Sequence, residues 1–69
     1  MSVPARIVVH PPSPAGGRWV TLGAETLGRA YGIVDLIEFL QRAGLNTQAL
    51  RLEDPHAIEW QGGGPGIWE

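Results

Sequence analysis

Cysteine and lysine are both absent from this 69-residue chain, and phenylalanine, tyrosine and methionine occur once each. Without cysteine there is no disulfide and no thiolate zinc site, so His10 and His56 are the only imidazoles left for a metal. The same lack fits a reducing compartment. No apolar run approaches the roughly 18 residues of a membrane span. The opening residues MSVPARIVVHPPSP break at prolines before a signal-like segment develops, which leads us to expect a cytoplasmic protein with no membrane contact. Basic residues are also few. Five arginines face seven acidic residues for a net charge of −2, and they are scattered along the chain. Nucleic-acid binding draws most of its affinity from a basic patch, so this pattern argues against it, although Arg6, Arg18 and Arg29 could meet across neighbouring strands.

What the chain does have is glycine, proline and three tryptophans. Its length allows one domain, residues 1–69, with a modest core. Ordering costs about 1.5 kcal/mol per residue, which roughly cancels burial in so short a chain, and small domains therefore lean on a disulfide, a metal or a partner. With the first excluded, a homo-oligomer or another protein partner is the expected support.

Residues 5–10, ARIVVH, alternate Arg6 out, Ile7 in, Val8 out and Val9 in, and read as a strand. The loop at 11–17, PPSPAGG, ends it because proline removes ladder donors. Residues 18–22 and 26–31 form a tight hairpin around GAE. Gly28 and Ala30 leave one side of that third strand nearly bare, which lets a helix approach closely. In IVDLIEFLQRAGL, residues 33–45, Ile33, Leu36, Ile37, Leu40 and Ala43 fall on one stripe. Asp35 and Arg42 suit the helix dipole, Glu38 and Arg42 are spaced to pair, and Gly44 caps the end with Leu45 folding back. Beyond it, 49–53 and 57–61 both alternate, separated by an Asp54-Pro55 turn. The second is the stronger strand candidate, with Ile58 and Trp60 on one face and Glu59 outside. The expected fold is α+β: a three- or four-stranded antiparallel sheet covered on one face by a single helix, in the order β-β-β-α-β.

The chain closes on IEWQGGGPGIWE, two tryptophans flanking a glycine-proline run within a Gly-rich C-terminal segment, residues 61–69. A phosphate cradle is a poor fit, since no lysine exists and almost nothing follows to form a helix. Gly62, Gly63 and Gly64 instead suit a tight reversal that returns Trp68 to the sheet beside Trp60 or Trp19. A folded-back tryptophan ring could add roughly 2 to 3 kcal/mol. Alternatively Pro65, Ile67 and Trp68 anchor another chain, since tryptophan dominates interface hot spots. Trp60, Gly62, Gly63, Gly64, Pro65, Ile67 and Trp68 are therefore the candidate binding residues, with the 11–17 loop as a second element whose PxxP pattern is better explained by rigidity.

Other constellations give way to simpler readings. His10 and His56 with Glu53 or Asp54 could form a metal site, but both histidines read as exposed loop-edge residues. Asp35 and Glu38 belong to a solvated helix stripe. Ser2 and Ser13 lack an adjacent base. No catalytic residue, metal, cofactor or small-molecule substrate is expected.

In its helix EFL-R-AGL and its ending EW-GGGP--W, the chain resembles a group of small uncharacterised proteins of high-GC, Streptomyces-like actinobacteria, over residues 7–68. That resemblance implies no activity. The expected function is a non-enzymatic, self-associating protein-interaction module. Two other readings stand beside it. A sheet followed by a helix resembles the arm-binding domains of tyrosine integrases, which implies a DNA-associated regulator. The size and the Gly-Gly resemble ubiquitin-like carriers, which implies trimming after Gly64.

Overall fold

A computed structural model describes residues 6–54 and 56–68; Ala5, Pro55 and Ser2, singled out above, lie outside them. The order is β1 (Ile7–Pro12), β2 (Arg18–Leu22), β3 (Glu25–Ala30), α1 (Ile33–Arg42) and β4 (Ile58–Trp60). The strands form one sheet in the spatial order β3-β2-β1-β4. β1, β2 and β3 pair antiparallel, but β4 lies parallel to β1 through Ile7↔Ile58, Val8↔Glu59 and Val9↔Trp60. The sheet is thus mixed, not antiparallel as expected. The reason is directional: one helix between β3 and β4 carries the chain back, so β4 runs the same way as β3, which is also the direction of β1.

Two local expectations also change. β1 does not stop at His10 but continues through Pro11 and Pro12, with a bulge that sets His10 and Pro11 opposite Trp19. Proline is tolerated here because β4 pairs only as far as Val9, so no strand on that side calls for a donor from Pro11 or Pro12. Residues 49–53 form turns instead of a strand, capped by Asn46 and Asp54 side chains that accept from Gln48 N and His56 N. The third strand lies one residue earlier than expected, leaving Tyr31 just beyond its end.

The core is small and one-sided. Ile7, Val9, Val20, Ala30, Leu36, Leu40 and Ile58 are its buried apolar residues, and every strand member among them points to the face that α1 covers. Leu45, Leu50, Leu52, Trp60 and Trp68 pack around the same cluster, so the chain beyond β3 gathers on that face. Gly28, at φ +150°, lies under the Phe39 ring, where an added Cβ would sit 3.0 Å from Cζ. The sparse surface of β3 is what admits the helix. At the other end of α1, Gly44 N donates to Gln41 O and Leu45 N to Leu40 O, a Schellman closure with Gly44 at φ +87°. At the start, Asp35 Oδ2 accepts from Tyr31 N, while Gly32 caps with no side-chain bond.

These environments rank three glycine substitutions by thermal or chemical melting. Gly32→Ser, at an extended backbone (φ −177°) with open space around it, should leave stability unchanged or a few tenths of a kcal/mol higher. Gly44→Ala should cost about 1 kcal/mol through φ alone. Gly28→Ala should cost more, about 2 kcal/mol, because strain and a ring clash combine. Equal effects at Gly28 and Gly44 would show that the helix does not press on β3.

Candidate functional site: an arginine crowned by the C-terminal segment

β2 alternates Arg18, Val20 and Leu22 toward the covered face and Trp19 and Thr21 away from it. Arg18 is therefore an inward-pointing charge, and it is fully buried, with 0% exposure. Residues 61–67 close around its side chain. Every guanidinium N–H meets a backbone carbonyl. Nε donates to His10 O at 2.9 Å, Nη1 to Gly64 O at 2.9 Å and Ile67 O at 2.8 Å, and Nη2 to Gln61 O at 2.6 Å and Gly63 O at 2.9 Å. Those five bonds exhaust the donors an arginine has.

Two indole rings complete the enclosure. The guanidinium carbon lies 5.3 Å from the Trp60 ring centroid and 5.8 Å from that of Trp68, and the rings meet edge to face at 6.0 Å. Each indole N–H is also satisfied, Trp60 Nε1 by Leu52 O at 2.7 Å and Trp68 Nε1 by Pro65 O at 2.8 Å. Burial pushes the Arg18 guanidinium below its ordinary pKa, because desolvation disfavours the cation. Oriented carbonyl dipoles supply the compensating field, and among the described residues no buried side-chain nitrogen or oxygen lacks a partner.

The glycines follow from this geometry. To aim the carbonyls of residues 61, 63, 64 and 67 at one point, the chain must turn tightly, and Gly62 and Gly63 adopt φ +77° and +138°. Their space is also taken: a Cβ on Gly62 would lie 2.9 Å from Pro11 Cβ, and one on Gly63 2.8 Å from Ile67 Cδ1. The 11–17 loop joins the same assembly. Gly17 N donates to Trp68 O at 3.1 Å, Gln61 N to Val9 O at 2.9 Å, and the β1 bulge presents the His10 carbonyl to Arg18.

Of the residues singled out in the sequence, the structure gathers Trp60, Gly63, Gly64, Pro65, Ile67 and Trp68 around Arg18. Gly62 and Gly66 are exposed, and Ile67 keeps 46% of its surface in solvent. Trp68 lies beside Trp60, not Trp19. Sequence reasoning missed Arg18 itself, whose signal was its place in the inward phase of β2, together with Val20. The three arginines that could have met do not: Arg18 is on the covered face, whereas Arg6 and Arg29 belong to the other one, on opposite sides of β2. Trimming after Gly64, as a carrier would need, removes one of the five carbonyls and Trp68. His10 is not a loop-edge residue but half-buried in β1, 3.0 Å from Thr21 Oγ1 through Nε2. Among the described residues no group of three or more His, Asp or Glu could hold a metal, and no helix is long and apolar enough to cross a membrane.

The face away from the helix carries different chemistry. Trp19 and Tyr31 are 42% and 60% exposed, and the Arg29 guanidinium lies over the Trp19 ring at 4.8 Å with Nη1 3.4 Å from the Tyr31 hydroxyl. His10, Trp19, Thr21 and Thr26 line an open depression of about 440 Å³. Across the sheet, Glu59 Oε1 lies 3.6 Å from Arg6 Nε, and Glu59 Oε2 accepts from Gln61 Nε2 at 2.5 Å. Comparison with protein-family models, curated proteins and solved structures finds no match to this chain.

Arg18→Lys keeps the charge but has three donors for five carbonyls and no planar fork. It should cost about 3 kcal/mol or more, the usual effect of breaking a buried charged network, and leave much of the protein unfolded. Trp68→Ala should cost about 2 kcal/mol. Denaturant melts check both. Native-like stability of the lysine variant would mean that the carbonyl crown does not hold the segment.

Proposed function

We propose that this chain is a non-enzymatic protein-interaction module that recognises its partner through the helix-free face of the sheet. The observation that carries this reading is the clustering of exposed Trp19 and Tyr31 with Arg29 on the face of the sheet that α1 does not cover. Aromatic and arginine side chains are the residue types enriched at interface hot spots. The C-terminal tryptophans, which the sequence offered as the anchor, are engaged with Arg18, and Ile67 is the large apolar side chain that segment leaves exposed. Four groups that a catalyst could use have structural partners. Asp35 and Asp54 accept from backbone amides, Glu59 faces Arg6, and His10 is bonded to Thr21. That supports a role in binding and not in chemistry, without cofactor or metal.

The immobilised full-length protein tests this by capture from an extract of its native host. Trp19→Ala with Tyr31→Ala should lose the captured partner while melting like the parent, and Ile67→Ala should retain it. The opposite pattern, capture lost with Ile67→Ala and kept by the sheet-face variant, would move recognition to the C-terminal segment and overturn the reading.

A further inference from the structure

We infer that the crown is a guanidinium-binding site in its own right: Arg18 fills it in the native chain, and with that side chain removed it takes a small alkylguanidinium from solution. The inference concerns the core face and is independent of the recognition role assigned to the other one.

The walls of the site do not depend on the side chain they enclose. Gln61 N donates to Val9 O at 2.9 Å, Gly17 N to Trp68 O at 3.1 Å and Ile67 N to Gly64 O at 3.2 Å. These bonds tie the segment to β1, to the 11–17 loop and to itself. The indoles are placed by their own N–H groups, Trp60 on Leu52 O and Trp68 on Pro65 O. On the opposite side, the backbone at position 18 is fixed between Pro12 and Ala30 of the flanking strands. Five carbonyls and two rings therefore stay gathered about one point through contacts that survive truncation of Arg18.

The arrangement selects its ligand by chemistry. Five acceptors around one carbon match the planar fork of N–H groups that a monoalkylated guanidinium carries. An ammonium offers its donors from a single nitrogen and holds its water more tightly, so it leaves carbonyls unmatched at a greater desolvation cost. A urea has the planar shape but no charge for the indoles or the carbonyl dipoles to act on, and it turns an oxygen of its own toward theirs. Among the described residues no carboxylate pairs with Arg18, so the field in the site is that of neutral dipoles, and salt has little charge to screen.

Arg18→Gly, which makes room for a methyl carbon, tests the site with methylguanidinium chloride at constant ionic strength. Sucrose is present throughout to favour the compact state. A ligand of so few atoms has a dissociation constant of roughly a millimolar. At about ten times that concentration, mass action should raise the folded-to-unfolded ratio about elevenfold, read as a rise in the thermal midpoint. Methylammonium and N-methylurea at the same concentrations should give no such rise. Nor should the parent protein, whose site is filled. Ligand protons in the bound variant should cross-relax with the Trp60 and Trp68 ring protons. Arg18→Ala with guanidinium itself, which lacks the methyl that the remaining Cβ would meet, repeats the titration in a chain that keeps its strand propensity.

A midpoint that rises no more with either guanidinium than with methylammonium overturns the inference. So does an equal rise in the parent, or a bound ligand without contact to the two indoles. Variants that stay unfolded at every ligand concentration overturn it as well, because a crown held by its own bonds folds around its ligand. None of these outcomes touches capture through Trp19 and Tyr31, which is read on a chain with Arg18 in place.

Discussion

A guanidinium taken out of water has to recover five hydrogen bonds and a compensating field, and Arg18 recovers both from the backbone of residues 10 and 61–67. The rest of the C-terminal architecture is a consequence of that requirement. Carbonyls can converge on one cation only if the chain curls around it, which demands the positive φ of Gly62 and Gly63. A buried cation also gains from the electron-rich faces of aromatic neighbours, which Trp60 and Trp68 provide. Glycines that would otherwise make the tail costly to order are held by bonds to a charged donor, each stronger than a neutral hydrogen bond.

Seen this way, the domain has two ends and two faces with separate duties. α1 and the arginine crown both lie on the core face, and together they enclose a core of seven apolar side chains among the described residues, without a disulfide. The opposite face carries Trp19, Arg29 and Tyr31, and it is the one we propose for recognition. The β1 bulge links these duties: it places the His10 carbonyl against Arg18 while the His10 imidazole bonds Thr21 in the sheet.

Sequence pattern made the local elements legible because each is specified by short-range chemistry. The stripe of Leu36 and Leu40, the Gly44 closure with Leu45, the inward Ile7 and Val9, and the bare side of β3 at Gly28 and Ala30 all follow from neighbours a few residues apart. The direction of β4 does not, since it depends on how many times the whole chain reverses. Extension of β1 through two prolines depends on β4 being too short to need their missing N–H groups. Arg18 was hidden for a similar reason. Inward alternation marked it, but four of its five acceptors are carbonyls more than 40 residues away, and carbonyls carry no residue-type signature. The tryptophans and glycines of the tail were visible; the cation that organises them was not.

The measurement that tests the crown most directly is nitrogen-15 NMR of the arginine side chains near neutral pH. A guanidinium fixed by five carbonyls and shielded from water should show Arg18 Nε–H and separate Nη proton signals that exchange slowly with solvent, with cross-relaxation to the Trp60 and Trp68 ring protons. Arg42 and Arg51, exposed on the surface, should give averaged, fast-exchanging signals. Arg18 signals as averaged and as fast as those of Arg42 and Arg51 would contradict the account.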